Sequence, residues 1–377
     1  MGDRRPFARA LALAACLAMT ACATRPGPEV LVPVERRVDG AQLVTIHTAT
    51  TREREKNGVN RFTAAHAERT NYAGFTISLP PDHRPGQIEW PKAQPDPSTS
   101  FAVLDQRILG RDDFIEGVAS AARNAERREV SVFVHGYNQN FEQALFRLAQ
   151  MTADAHHQGA SVLFAWPSQA QVAGYIADRD SAMISRDHLV ELLTALVDDT
   201  RIGDITLVAH SMGAWLAVEA LRELRLTGRD RVIGRLQVVL AAPDIDVGLF
   251  HAQMKVLGPM DPPMTVLVSP DDRALLVSRR LAGDRDRLGA LDITDPRVEV
   301  AAQEANVVLI DISSLDASDT LRHGRFAMLG AVYSQLEDTG ASSAGQRLQR
   351  AGAYVFNAVG ATISSPFVLV GDALADQ

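Results

Sequence analysis

From about residue 129 onward, short apolar runs alternate with longer stretches whose apolar positions recur every three to four residues. The runs at 130–134, 162–165, 205–209, 236–241, 265–268 and 307–312 are rich in Val, Ile and Leu, as expected of short strands buried in a sheet. Between them, 141–157, 186–198, 214–226 and 325–337 carry helix-spaced apolar residues. In 186–198, for instance, Leu189, Leu192, Leu193, Leu196 and Val197 share one face. Strand and helix in alternation predict a mostly parallel central sheet with helices on both faces.

Before this block, 43–48 and 72–79 read as two further strands, separated by the polar stretch 51–61. Residues 80–100 are crowded with proline and turn formers and read as surface loop. Beyond it, 342–377 holds a weakly amphipathic stretch with Leu348, Ala351, Val355, Ala358 and Val359 in helical register. Only Arg347 and Arg350 supply a basic face there, so packing on the body is favoured over a membrane-facing helix or a lid.

At the amino terminus, Arg4, Arg5 and Arg9 precede an apolar stretch over 10–19, then Thr20, Ala21 and Cys22. This is the layout of a bacterial secretory signal, and the apolar run is shorter than the roughly 20 residues of a spanning helix. A cysteine after small residues resembles a lipobox, with Met19 where leucine is usual. Residues 1–21 are therefore expected to be a signal peptide, Cys22 the lipidated mature terminus, and 22–40, with Pro26, Pro28 and Pro33, a tether. Residues 41–340 would form the catalytic domain and 341–377 a carboxy-terminal extension. Ala23 after the acylated position, rather than aspartate, directs the expectation to the outer membrane, facing the periplasm.

Composition narrows the chemistry. The 377 residues are 46% hydrophobic, enough for a large core, and the formal charge of −8 disfavours a nucleic-acid partner. With Cys16 in the signal and Cys22 acylated, no thiol remains for a disulfide, a cysteine nucleophile or a cysteine-based metal site. Nor is there a glycine-rich phosphate loop. The adjacent His156 and His157 lack metal-ligand spacing. No cofactor or metal is expected.

The candidate chemistry lies at Ala209-His210-Ser211-Met212-Gly213, directly after the apolar run at 205–208. It reads as a nucleophile elbow, a serine on a strained strand-to-helix turn that tolerates only small residues two before and two after it. Ala209 stands where glycine is usual. A serine hydroxyl needs a base, and the base an orienting anion. In the chain order serine, acid, histidine, only His251 and His323 follow Ser211, and only His323 lies beyond the turn Ser269-Pro270-Asp271-Asp272. Asp272 is favoured as the acid, with Asp271 and Asp244 as alternatives. Two backbone donors must face the developing oxyanion. The Met212 N–H is one, and the Tyr137 N–H, from the loop His135-Gly136-Tyr137-Asn138, the other. His135 and His210 read as structural.

These residues resemble a family of proteobacterial α/β-hydrolases of unknown function, often secreted or lipid-anchored. The resemblance spans about residues 44–336. Its marks are Val132-Phe133-Val134-His135-Gly136-Tyr137-Asn138, Trp166-Pro167-Ser168, Tyr175 with Asp178 and Ser185, the elbow, Ala241-Ala242-Pro243-Asp244, and Asp272-Arg273-Ala274-Leu275. It implies the α/β-hydrolase fold, supports Asp272 over Asp271 as the acid, and leaves the substrate undefined. Trp166-Pro167-Ser168 reads either as lining of an acyl pocket or as a proline-stiffened turn. The expectation is a carboxylesterase- or lipase-like envelope enzyme acting on a small-molecule or lipid ester through an acyl-serine. The alternative is a non-catalytic envelope binding or scaffold protein that keeps the fold.

Overall fold

A computed structural model describes residues 25–92 and 94–334. The expected signal peptide (1–21), Cys22 and the expected extension 341–377 lie outside the described residues. Nine strands are present: β1 (Gln42–Arg54), β2 (Phe62–Leu79), β3 (Ala102–Leu109), β4 (Val130–Val134), β5 (Ala160–Ala165), β6 (Ile205–His210), β7 (Leu236–Ala241), β8 (Met264–Val268) and β9 (Val307–Asp311). They form one sheet in the order β3-β2-β1-β5-β4-β6-β7-β8-β9. Only β1–β2 and β2–β3 pair antiparallel; from β1 to β9 every pairing is parallel. The carboxyl ends of seven strands therefore share one edge.

Among the described residues, and apart from the single turn Asp230–Ile233, the α-helices are α1 (Arg111–Ala122), α2 (Phe141–Asp154), α3 (Tyr175–Ile184), α4 (Arg186–Asp198), α5 (Met212–Leu226), α6 (Val247–Leu257), α7 (Arg273–Leu281), α8 (Pro296–Ala305) and α9 (Leu329–Ser334). Alternate strand residues divide the core between the two faces. Val130, Val132 and Val134 pack with Phe114 of α1, Leu193 of α4 and Leu216 of α5. Phe133 faces the opposite way, among Phe141 and Phe146 of α2 and Phe326. Among the described residues no helix is long and apolar enough to cross a membrane.

Three expectations need correction. The polar stretch 51–61 is not a simple separator: β1 runs to Arg54 and β2 begins at Phe62, with bulges at Arg52 and Arg54. These arginines enter the sheet because carbonyl oxygens receive them. Arg52 donates to Gln139 O at 2.9 Å and Thr63 O at 3.3 Å, and Arg54 to Tyr72 O at 2.7 Å and Val59 O at 2.9 Å.

The segment 22–40, expected to be a tether, is largely exposed in its described part but fixed to the body at one turn. Pro28–Leu31 forms a 3₁₀ turn whose Val30 and Leu31 are buried, and Val34 N donates to Val103 O at 2.9 Å. Burying each such side chain stabilises by about 1.5–3 kcal/mol, which sets this segment on the body. Finally, the described part of 325–337, residues 325–334, is a 3₁₀ turn at Arg325–Met328 followed by α9, and not one continuous α-helix.

Candidate active site

β6 ends at His210, and Ser211 takes φ 55° and ψ −121° before α5 begins at Met212. That backbone costs about 1–3 kcal/mol and persists only where its surroundings enforce it. Here Ser211 N donates to Ala241 O at 2.9 Å, while Ser211 O accepts from Asp244 N at 3.2 Å and Ala214 N at 3.1 Å. The turn also requires glycine at two places. A Cβ on Gly213 would lie 2.3 Å from His135 O, and one on Gly136 would lie 2.7 Å from His210 Nδ1 and 2.9 Å from Ser211 Cβ. The Gly136 backbone is thus pressed against the serine. Ala209 is fully buried and pairs with Val134 and Leu240 of the flanking strands.

The acid and the base come from the carboxyl ends of β8 and β9, two and three strands along the sheet from β6. Asp272 ends the turn after β8 and caps α7, its Oδ1 accepting from Leu275 N at 3.0 Å. Its Oδ2 lies 2.6 Å from His323 Nδ1, and the carboxylate is fully buried. Burial lowers the pKa of His323, but the charge and hydrogen bond of Asp272 outweigh it and hold the ring above the ordinary histidine value. Nδ1 being engaged, Nε2 is the nitrogen left for proton exchange.

His210, the residue before Ser211, keeps His323 in place: the ring centroids are 4.5 Å apart and His210 Nε2 is 3.3 Å from His323 O. Burial and the neighbouring His323 push His210 well below its ordinary value, so it stays uncharged. No hydrogen bond joins the Ser211 hydroxyl to the His323 ring among the described residues; in sites without substrate such contacts are commonly long and tighten on binding.

The two alternative acids are engaged elsewhere. Asp271 accepts from Arg325, from Arg322 at 2.5 Å and from Ser269 Oγ at 2.8 Å, and Arg325 above all holds its carboxyl far below the usual range. Asp244 accepts from Tyr175 OH at 2.9 Å and Ser278 Oγ at 2.6 Å, with Arg287 Nε 3.3 Å away. Neither makes a hydrogen bond to His323.

On the other side of Ser211, the loop 135–140 is held by a buried network. Asp178, fully buried, accepts from Ser168 Oγ at 2.6 Å, Gln169 N at 2.6 Å and Asn138 N at 3.2 Å. Gln139 N donates to Ser168 Oγ at 3.2 Å. His135 lies between Gly136 O (2.9 Å) and Trp166 O (3.0 Å), stacks on the Trp166 ring, and is lowered by burial to about 3. Trp166 Nε1 in turn donates to His135 O at 2.8 Å. Trp166 and Ser168 are buried, and through these contacts the motif fixes the loop. Tyr137 sends its hydroxyl to the carbonyls of Gln171 and Val172, leaving its amide in the loop beside the serine.

Three positioning residues escaped the sequence reading. Asp178 was noted only as part of a resemblance. Arg52 falls in the polar stretch that separates the two expected strands; it is buried, which lowers it to about 10 against the opposing charges of Glu142 and Asp178. Arg25 sat inside the expected tether; its guanidinium donates to Asn138 O at 2.7 Å and Asn138 Oδ1 at 2.8 Å.

The model of the family "Alpha/beta hydrolase of unknown function (DUF900)" matches residues 112–339. No curated protein matches the chain. Among solved structures, lysin B from Mycobacteriophage D29 is similar at 16% identity and TM-score 0.29, over 63% of this chain and 94% of that one. Esterase Est22 is similar at 12% identity and TM-score 0.32, over 72% of this chain and 71% of that one.

Proposed function

The chain belongs to the alpha/beta-hydrolase family DUF900, and from that premise we propose that it is a serine hydrolase cleaving carboxylic esters or related acyl bonds through an acyl-serine. The observation that carries the reading is the buried Asp272–His323 pair, its Nε2 left for proton exchange, held by His210 beside a serine on a strained elbow. His323 Nε2 takes the Ser211 hydroxyl proton as Oγ attacks the acyl carbon. The tetrahedral oxyanion is received by the Met212 and Tyr137 N–H groups. His323 then gives the proton to the leaving alcohol, and the acyl-serine is hydrolysed by a water that His323 deprotonates. Asp272 fixes the ring through its hydrogen bond to Nδ1 and stabilises the imidazolium.

A fluorophosphonate probe tests this on the full chain. Labelling is expected on the peptide containing Ser211 and absent in Ser211→Ala, whose ester turnover should fall about a million-fold. A folded wild-type protein that takes no label would instead favour the non-catalytic scaffold. p-Nitrophenyl esters of graded acyl length then define the substrate.

The setting we propose is the cell envelope, with the chain held through an acylated Cys22 at the outer membrane and facing the periplasm; the basis is the Thr20-Ala21-Cys22 sequence after its apolar run. Metabolic palmitate should label the wild type and not Cys22→Ser.

A further inference from the structure

Two short helices lie across the edge of the sheet that carries Ser211. α3 begins near β7, where Tyr175 OH donates to Asp244 Oδ2 at 2.9 Å, and ends near β1, where Ser185 Oγ is 2.8 Å from Thr51 Oγ1. α7 begins at Asp272, and the chain after it returns to the same edge, Ser269 N donating to Gly289 O at 2.8 Å. Tyr175 OH, 3.1 Å from Ser278 Oγ, joins the two helices.

Their outer faces mix apolar and charged side chains: α3 exposes Arg179 and Asp180 beside its apolar residues, and α7 exposes three arginines. Of the twelve large apolar side chains exposed among the described residues, six lie here: Val172, Ile176 and Ile184 in and before α3, and Leu276, Val277 and Leu281 on α7. Single exposed apolar residues are ordinary, but a group concentrated on one edge marks a contact surface. Between these side chains α7 carries Arg273, Arg279 and Arg280 and no acidic residue; Arg279 is paired with Asp286 beyond the helix. Apolar side chains interleaved with cations suit an anionic lipid surface, where the apolar groups enter the acyl boundary and the arginines meet headgroups.

The course of the amino-terminal segment agrees. Pro26 O accepts from Asn140 Nδ2 at 2.6 Å and Arg25 binds Asn138, so the chain arrives at the loop beside Ser211. With Cys22 acylated as proposed above, three residues separate the lipid from Arg25, about 11 Å at full extension. We propose that α3 and α7 form a docking surface for an anionic bilayer and turn the mouth of the site toward the membrane, so that the ester is taken from the lipid phase. This extends the hydrolase reading and rests on it for the ester, not for the docking.

Amide hydrogen exchange on the full chain tests the surface without using activity. On phosphatidylcholine vesicles containing phosphatidylglycerol, the amides of α3 and α7 should exchange about tenfold more slowly than in the absence of vesicles. Ile176→Glu/Leu281→Glu should abolish that protection, whereas Leu226→Glu, an exposed apolar residue at the far end of α5, should keep it. Equal exchange with and without vesicles overturns the proposal, as does equal loss of protection in Leu226→Glu. Fluorophosphonate labelling of the same samples reports separately on Ser211, so loss of docking and loss of the hydrolase reading are distinguishable.

Discussion

On the β8–β9 side of the cleft, opposite charges meet in pairs: Asp272 with His323, and Asp271 with Arg325 and Arg322. On the β4–β5 side one buried carboxylate, Asp178, collects donors from a hydroxyl and two backbone amides, while Arg52 and Arg25 fasten the same loop by its carbonyls. The first arrangement sets a protonation state, because the Asp272 carboxylate favours the charged form of the His323 ring. The second sets the position of a backbone. Damage to the two sides should therefore leave different kinetic signatures, even where both lower turnover.

Asp272→Asn should do the greatest damage. Losing the anion behind the base is expected to lower kcat by about 10⁴-fold. The pH profile carries the more specific result. Asp272 raises the His323 pKa, and the base must be unprotonated to act, so the acid limb of kcat/KM in the wild type should lie above the ordinary histidine value. In Asp272→Asn that limb should move to lower pH. A limb that stays where it was would mean that His323 is not the base.

Asp178→Asn comes next and should act without moving the limb. An asparagine offers an NH₂ where three donors converge, which releases the loop that carries the Tyr137 amide. Loss of one oxyanion donor typically costs about 10²–10³-fold in kcat, and the buried donors left unpaired should lower stability by about 1–3 kcal/mol. Steady-state kinetics with a urea midpoint would check both. A shift of the limb comparable to that of Asp272→Asn would erase the distinction between the two sides. Asp244→Asn sharpens it from the other direction. Asp244 contributes only a minor charge effect at His323 and is held by Tyr175, Ser278 and Arg287, so its limb should shift far less than that of Asp272→Asn.

The contrast also explains what could be read in the sequence. The β8–β9 side was legible because chain order and the turn Ser269-Pro270-Asp271-Asp272 restrict the choices to a few residues, and the central strands because buried parallel strands are unbroken apolar runs. Among Asp244, Asp271 and Asp272, all of which follow strands, chain order and the resemblance favoured Asp272, and the structure adds that of the three only Asp272 hydrogen-bonds His323. β3 and α1 went unread because Asp105, Gln106 and Arg107 interrupt the apolar pattern on an edge strand. The β4–β5 side was largely hidden because its polar residues come from distant segments. Arg52 and Arg25 look like solvated linker arginines until a carbonyl is found opposite each.

Arg25→Ala should have the smallest effect and tests whether the amino-terminal strap belongs to this second region at all. Its two contacts with Asn138 are solvent-exposed, where a hydrogen bond contributes about 0.5–1.5 kcal/mol and salt weakens the charge. Asn138, at φ 62°, directly follows Tyr137 in the loop, and Arg25 holds both its carbonyl and its side chain. Freeing it should lower kcat about two- to tenfold with KM unchanged, leave the acid limb in place, and make the remaining loss insensitive to salt. If Arg25→Ala matches the wild type at low ionic strength, the strap only lies against the loop, and its positioning falls to Asp178 and Arg52. If kcat falls while the limb stays, the segment that joins the proposed anchor to the domain also positions the oxyanion loop, and tension on one would be felt at the other.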